Sequence, residues 1–206
     1  MVHHHIFETE RLIVRQYAFE TDTENFYLLN GDDDVMRYIR ATKTKQECDV
    51  FLKKAIDAYK INPLIGRWAA DEKATGKFVG SFAIIPIEGS EDIQLGYALL
   101  KESWGKGFAS ELTKSGLDYY FKNTSADHIY AIAERANVAS HNVLLKNSFV
   151  PDGTKIDDYG DAHSKEGFCE AISMAEVQGK IVGDRFEATY FKLLPHSEKN
   201  TLLQKL

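Results

Sequence analysis

Between Leu95 and Ala109 the chain carries its densest chemistry. An apolar run ending in Ala98-Leu99-Leu100 passes through Lys101 to Trp104 into Gly105-Lys106-Gly107-Phe108-Ala109, where a helix to about Lys122 is predicted. Glycine lets the backbone approach a ligand closely and turn its N–H groups inward. The first turn of a helix adds unpaired N–H donors and the positive end of the macrodipole. A strand, two glycines and a helix start, in that order, make a cradle for a diphosphate, although the same spacing also suits a plain strand–helix turn. Neither GxxxxGK[ST] nor GxGxxG occurs here, so a P-loop and a dinucleotide fingerprint do not fit.

Other reactive residue types are sparse. Cys48 and Cys169 have no recognisable His or Ser partner and read as small buried hydrophobes. No metal-ligand spacing occurs, and His3, His4 and His5 at the chain end read as a tag remnant or chance. Asn137 is a natural N-cap for a helix that carries Ser140 in its first turn.

The elements that hold these residues follow from periodicity. Leu12, Val14 and Gln16 alternate with Arg11, Ile13, Arg15 and Tyr17, which predicts a first strand. A helix from about Asp22 to the Asn30-Gly31 stop and a shorter one over residues 33–39 follow. Thr44 with Glu47 forms a capping box opening a helix to about Lys60, with Phe51, Leu52, Ala55 and Tyr59 on one face. Apolar runs at 66–70, 78–85 and 93–100, joined by turns carrying Gly76 and Gly89, predict an antiparallel meander. Beyond the loop and its helix, 128–134 reads as a strand and 137–147 as a helix, so the sheet is mixed, with parallel strands in its second half. Asp161 opens an expected helix to Gly179, and 185–194 is the expected last strand.

The whole, residues 1–206, reads as one α/β domain, long enough for one core and without a linker. A net charge of −6 argues against nucleic acid as the partner. No apolar run is long enough for a membrane, and no charged-then-apolar leader opens the chain. A soluble, cytoplasmic protein with reduced thiols is expected, and a homodimer is compatible with this reading.

The run Trp104-Gly105-Lys106-Gly107-Phe108-Ala109 resembles the pyrophosphate loop of the GNAT N-acetyltransferase superfamily, in its RimJ/RimL branch. The resemblance extends to Thr9-Glu10-Arg11-Leu12 with Arg15, to Gly80, to Leu95-Gly96-Tyr97, and to Asn137-Val138-Ala139-Ser140 leading to Phe149. It covers most of residues 7–150 in the expected order. It implies a seven-stranded mixed sheet, flanked by helices, whose fourth and fifth strands splay apart. The pantetheine of acetyl-CoA would pair there with backbone of Ala98, Leu99 and Leu100. Trp104, Gly105, Lys106, Gly107, Phe108 and Ala109 would wrap the pyrophosphate, with Asn137 and Ser140 flanking pantetheine and thioester. The implied reaction is direct transfer of acetyl from this cosubstrate to a primary amine through a tetrahedral intermediate. It needs no metal and no covalent nucleophile, and the Leu99 backbone N–H would be the oxyanion donor.

The departures fall on the proton-transfer groups. Where many superfamily members carry a Tyr acid this chain has Leu144, and the branch places Ser140 one turn earlier, to protonate the thiolate or bind the thioester. Where the branch often has a Glu base the chain has Gln94, which cannot take a proton but can hold a water; Glu91, Asp92 or bulk solvent are the alternatives. Tyr97 reads as structural or pantetheine-facing. Ser148 replaces a usual Gly, with Asn147 expected to take the left-handed cap. The stretch from about Tyr159 to Val182 is longer than the family pattern, and its acidic residues suit the acceptor side. A small-molecule amine or a protein N-terminus satisfies this chemistry. The competing reading is a catalytically silent acyl-CoA-binding regulatory module on the same fold, favoured slightly by Gln94 and Leu144.

Overall fold

A computed structural model describes residues 4–157 and 186–193. Among these residues eight strands form one sheet in the order β1-β2-β3-β4-β5-β6-β8-β7. They are β1 (His5–Glu8), β2 (Leu12–Arg15), β3 (Gly66–Glu72), β4 (Phe78–Pro86), β5 (Ile93–Leu99), β6 (Ile129–Glu134), β7 (Val150–Asp157) and β8 (Phe186–Leu193). Neighbours pair antiparallel except β5 with β6, which is parallel. The meander is therefore β3-β4-β5, as the turn residues predict. The eighth strand is β1, whose four residues are too few to mark it as a strand in sequence; it brings His4 and His5 into the first hairpin, with the His4 carbonyl accepting from Gln16 N–H at 2.9 Å.

The helices are α1 (Phe19–Asn30), α2 (Asp33–Met36), α3 (Lys45–Ala58), α4 (Phe108–Asn123) and α5 (Val138–Lys146). The capping box at Thr44 is complete, with Glu47 reaching back to the Thr44 N–H at 2.7 Å. The first helix starts a turn earlier than Asp22, because Asp22 is spent on structure. It is buried, accepts from Ala18 N–H at 2.8 Å and pairs with Arg15 at 2.8 Å, while Arg15 also binds Asp71 of β3. Burial opposes the Arg15 charge, and the two carboxylates more than offset it, holding the guanidinium above its ordinary pKa. That network fixes β2 to α1 and β3.

The sheet has two covered faces. Leu95, Leu99, Ala131 and Ala133 join Phe108, Leu112 and Leu144 in the core under α4 and α5. On the opposite face Ala69 and Phe78 pack with Phe26, Met36, Cys48 and Leu52 of α1, α2 and α3. Gly116 sits where a Cβ would come 2.1 Å from Phe82, so α4 lies hard against the meander. Cys48 is buried, and burial pushes its thiol up to about 11, an inert state. The expected helix from Asp161 to Gly179, Cys169 and the acidic stretch lie outside the described residues.

Candidate active site

β5 and β6 pair only at Gln94↔Tyr130 and Leu95↔Ala131. From Gly96 onward the two strands part, although β5 continues to Leu99 and β6 to Glu134. The gap has polar walls because of ladder parity. Leu100 N–H donates to the Val79 carbonyl at 2.9 Å, so Val79 and Leu100 form a hydrogen-bonded pair. Directly opposed antiparallel pairs alternate, which leaves Gly80↔Leu99 and Phe82↔Tyr97 unbonded across β4 and β5. Leu99 and Tyr97 therefore turn their N–H groups into the gap. Ala98 and Leu100 turn theirs to β4. Of the three strand residues expected to face pantetheine, only Leu99 turns its backbone N–H into the gap. Gly80 allows this close packing, since a Cβ there would sit 2.2 Å from the Ala98 carbonyl oxygen.

The gap runs toward the glycine loop. A single 3₁₀ turn (Lys101–Ser103) follows β5, and the Trp104 indole N–H donates to the Leu99 carbonyl at 2.7 Å. Gly107 caps α4 in the left-handed region at φ 82°, and Gly105 is left-handed at φ 71°. Among the described residues no side chain caps this helix, so its first N–H groups remain for a ligand. Trp104, Gly105, Lys106 and Gly107 are exposed, whereas the Phe108 ring is buried, which limits Phe108 to a backbone role.

Arg11 completes the loop. Its guanidinium pairs with Glu111 at 2.6 Å, lies 4.7 Å from the Phe108 ring centroid, and stands 3.5 Å from where a Gly107 Cβ would be. Burial pushes Glu111 up, but hydrogen bonds from Thr9 and Arg11 more than undo this and hold it below the ordinary carboxylate value. The Thr9-to-Leu12 motif thus delivers a cation to the helix start, a role its sequence does not announce.

Strand alternation sorts the rest onto two sides of the gap. On the α5 side lie Tyr97 and Ser140, with Asn137 accepting from Ser140 N–H at 3.1 Å as the N-cap. The Tyr97 hydroxyl is buried and makes no hydrogen bond among the described residues; burial raises it to about 12, moderated by the Ser140 hydroxyl it faces. Leu144 is a buried core residue on this wall. On the opposite side Gln94, Gly96 and Ala98 share a face with Glu134, next to Arg67 and Ala83, and Arg40 closes the cavity.

Glu134 is the one carboxylate lining this cavity among the described residues, and burial raises it above its ordinary value. Sequence reasoning missed it, because nothing in a strand's last residue tells which gap it borders. Asp92 lies off the cavity. Hydrogen bonds from His128 and Ser90 hold its carboxyl low, and the His128 contact is 3.0 Å, so it is a poor base. Glu91 is exposed and also off the cavity. Gln94 is buried on the cavity wall. At the end of α5 Asn147 stays right-handed at φ −92°, and Ser148 itself takes the left-handed conformation at φ 67°, reversing the expected division. No cluster of metal-ligating side chains forms among the described residues, and no helix among them is long and apolar enough to cross a membrane.

A gap between parallel strands thus opens onto an uncapped, glycine-started helix, the arrangement that the resemblance implies. The family model "Acetyltransferase (GNAT) domain" matches residues 11–150, and the chain belongs to that family of acetyltransferases. A second model, of a family of unknown function, matches residues 134–194. The Bacillus subtilis uncharacterized N-acetyltransferase YoaA is 27% identical over 151 residues, 72% of this chain and 84% of that one. Among solved structures, the ribosomal L7/L12 alpha-N-protein acetyltransferase RimL superposes with a TM-score of 0.71 at 13% identity, covering 95% of this chain and 96% of that one. Spermidine N-acetyltransferase from Vibrio cholerae, complexed with CoA and spermine, superposes with a TM-score of 0.65 at 18% identity, covering 89% and 95%. At these identities the structural likeness is one of fold.

Proposed function

We propose that this acetyltransferase is a single-domain enzyme of the RimJ/RimL type that moves acetyl from acetyl-CoA to a primary amine by direct transfer through a tetrahedral intermediate. The observation that carries the reading is the gap from Gly96 to Leu99, with inward N–H groups, leading to the uncapped start of α4. The residues fit the cosubstrate. Gly105 and Gly107 permit close approach of diphosphate oxygens to backbone N–H groups, and Lys106 and Arg11 add positive charge. Trp104, Phe108 and Ala109 complete the wrap. Leu99 N–H meets the pantetheine or thioester, and Asn137 holds the helix that brings Ser140 alongside.

Acetyl-CoA supplies an activated acyl group; the chain supplies position, charge stabilisation and proton transfer. The amine enters from the side of Gln94, Gly96 and Glu134. Glu134, raised by burial, takes the ammonium proton and passes it to water, while Gln94 lies further along the same cavity wall, where it can hold a water. The nitrogen then bonds to the thioester carbon while Leu99 N–H donates to the developing oxyanion. As the C–S bond breaks, Ser140 donates a hydrogen bond to the sulfur, with the Tyr97 phenol behind it, and the second nitrogen proton ends on the thiol. Acid and base thus stand on opposite faces of the sheet, separated by the gap that would hold the thioester. Acceptors of the structural neighbours include a ribosomal protein and spermidine, which supports an amine acceptor here.

Incubation with acetyl-CoA and grouped amines, read as released thiol, tests this. Turnover with at least one group is expected. Acetyl-CoA binding without turnover on any amine would restore the silent module, and no binding would end the reading.

A further inference from the structure

The α5 side of the gap holds a buried polar atom with nothing to bind. The Tyr97 hydroxyl is shut off from solvent and makes no hydrogen bond among the described residues, and Tyr97 lines the cavity together with Ser140. A buried hydroxyl without a partner costs free energy, and a phenylalanine would fill the same space without that cost. The packing does not call for the hydroxyl. Phe82 stands directly opposite on β4, and the ring packs against the apolar cluster under α4 and α5. Leu144, one turn beyond Ser140 on α5, brings no proton to this wall. The other titratable groups that line the cavity are Glu134, Arg67, Arg40 and Tyr38, set toward the Gln94 face of the sheet. The His141 ring on α5 contacts the Glu134 carbonyl at 3.1 Å. Burial raises the Tyr97 phenol to about 12, and the Ser140 hydroxyl that faces it draws it back. At neutral pH the phenol therefore keeps its proton, as an acid must before it acts.

The leaving group gives that proton a use. When the tetrahedral intermediate collapses, the C–S bond breaks and its electron pair leaves on sulfur as a thiolate. An aliphatic hydroxyl is a far weaker acid than a thiol, so Ser140 can pass a proton on but cannot be its source. A phenol and a thiol are nearly matched, roughly 10 against 8.5 in water. We propose that Tyr97 is the source of the proton that the departing thiolate takes, and that Ser140 delivers it. The Ser140 hydroxyl hands its proton to sulfur as it receives one from the phenol. The second proton of the attacking nitrogen then restores Tyr97 through water in the cleft. Sulfur ends as a thiol, nitrogen as a neutral amide, and both hydroxyls as they began. This rests on the acetyl-transfer reading and deepens it. The unpartnered hydroxyl is then a cost in the empty protein that serves the chemical step.

Tyr97→Phe tests this in two opposed directions. Removing an orphaned hydroxyl should leave the melting temperature level or raise it. Single-turnover thiol release at saturating acetyl-CoA and amine should nonetheless slow about 100-fold. Acetyl-CoA affinity should stay within about twofold by calorimetry. Ser140→Ala leaves room for a water to carry the proton, so the two changes together should lose less than the product of their single losses. A difluorinated tyrosine at position 97 keeps the ring's shape and makes the phenol more acidic. Since the protonated phenol is the active form, thiol release should then fall at a lower alkaline pH than in wild type, with acetyl-CoA affinity level over that range. Wild-type rate in Tyr97→Phe, single losses that multiply in the double variant, or an alkaline fall that fluorine does not move overturns the proposal. So does a melting temperature that drops together with rate and acetyl-CoA affinity, which would make Tyr97 a packing residue. The fluorinated protein decides the matter even where Tyr97→Phe does not fold. Wild-type protein that binds acetyl-CoA and turns over no amine overturns the acetyl-transfer reading and this proposal with it. Wild-type turnover that Tyr97→Phe leaves intact overturns the proton assignment alone.

Discussion

The two sides of the cleft are made differently. The side proposed for the cofactor is mostly backbone: the glycine loop, the first turn of α4 and the parted end of β5 follow one another without a break from Gly96 to Ala109. The side proposed for the acceptor is mostly side chains, with Arg40 from the segment after α2, Arg67 from β3, Gln94 from β5 and Glu134 from β6. Backbone sites tolerate change in side-chain type but not in conformation. Side-chain sites tolerate neither charge reversal nor loss of reach, and they are where one acetyltransferase can differ from another with the fold intact.

The largest effect that separates the two sides should come from Gly107→Val. The residue is left-handed, a conformation that costs a β-branched side chain roughly 1–3 kcal/mol, and its Cβ would face the phosphate and Arg11. Acetyl-CoA affinity should fall about 100-fold or more by calorimetry. The relative preference among acceptor amines should persist in whatever activity remains. If that preference changed as much as cofactor affinity did, the two sides would not be separate devices.

Glu134→Gln should be next, lowering kcat about 100-fold with little change in acetyl-CoA binding. Its pH signature is distinctive. Burial raises the Glu134 pKa from its ordinary 4.5, so wild-type kcat/KM should rise with pH through that raised value, and the variant should lose this limb. The groups around it are Arg40, Arg67, Gln94, Tyr97 and Ser140 across the cavity, and the His141 ring, which contacts the Glu134 carbonyl at 3.1 Å. Stability should move as well. Native protein holds this proton to higher pH than unfolded chain, so wild-type stability falls as pH rises from 4.5 through the raised value. The variant should lack that fall and melt higher at neutral pH. A variant whose pH–rate profile kept the wild-type acid limb would show that another group is the base.

Ser140→Ala should cost less, about tenfold in kcat, the scale of one hydrogen bond to a developing charge. Its helix cap uses the Ser140 backbone N–H, not the hydroxyl, so the fold should not notice the change. Acetyl-CoA affinity should stay within about twofold. An affinity loss as large as the kcat loss would move Ser140 from the chemical step to cofactor binding.

These expectations also mark where sequence reading stops. The loop was legible because strand, glycines and helix start are contiguous, and the Thr44 and Asn137 caps because a cap is a local pattern. Which strand N–H groups face the gap was not, because it depends on the parity of the β4–β5 ladder. Ala98 and Leu100 were therefore grouped with Leu99 although their N–H groups belong to β4. Glu134 and Arg67 were invisible for the same reason: register brings them to one cavity from strands far apart in sequence. The acidic residues from Asp161 to Glu176 that suggested a cationic acceptor lie outside the described residues. β1 escaped because an edge strand of four residues, with His5 and Glu8 exposed and only Ile6 and Phe7 against the core, is too short to show an alternating pattern.

The smallest expected change tests the comparison most sharply, because it uses a second glycine in the same segment. Gly96 is not left-handed, and a Cβ there meets open space, so Gly96→Ala needs no strain and no displaced neighbour. Alanine in a strand restricts the unfolded chain more than glycine does, so stability should hold or rise by about 0.5 kcal/mol. Acetyl-CoA affinity should not change, because the N–H groups that face the gap are those of Tyr97 and Leu99. The added methyl would instead rise from the floor between Arg67 and Glu134, lifting the acceptor. Its KM should increase by about threefold, more for bulky amines than for small ones, while the Gly107 variant shows the reverse pattern. Two glycines in one loop-and-strand segment would then control different ligands, one through its φ and the other through the space above it. If Gly96→Ala weakened acetyl-CoA and left the acceptor KM untouched, the floor of the cavity would belong to the cofactor, and Arg67 would have to be read as part of its site.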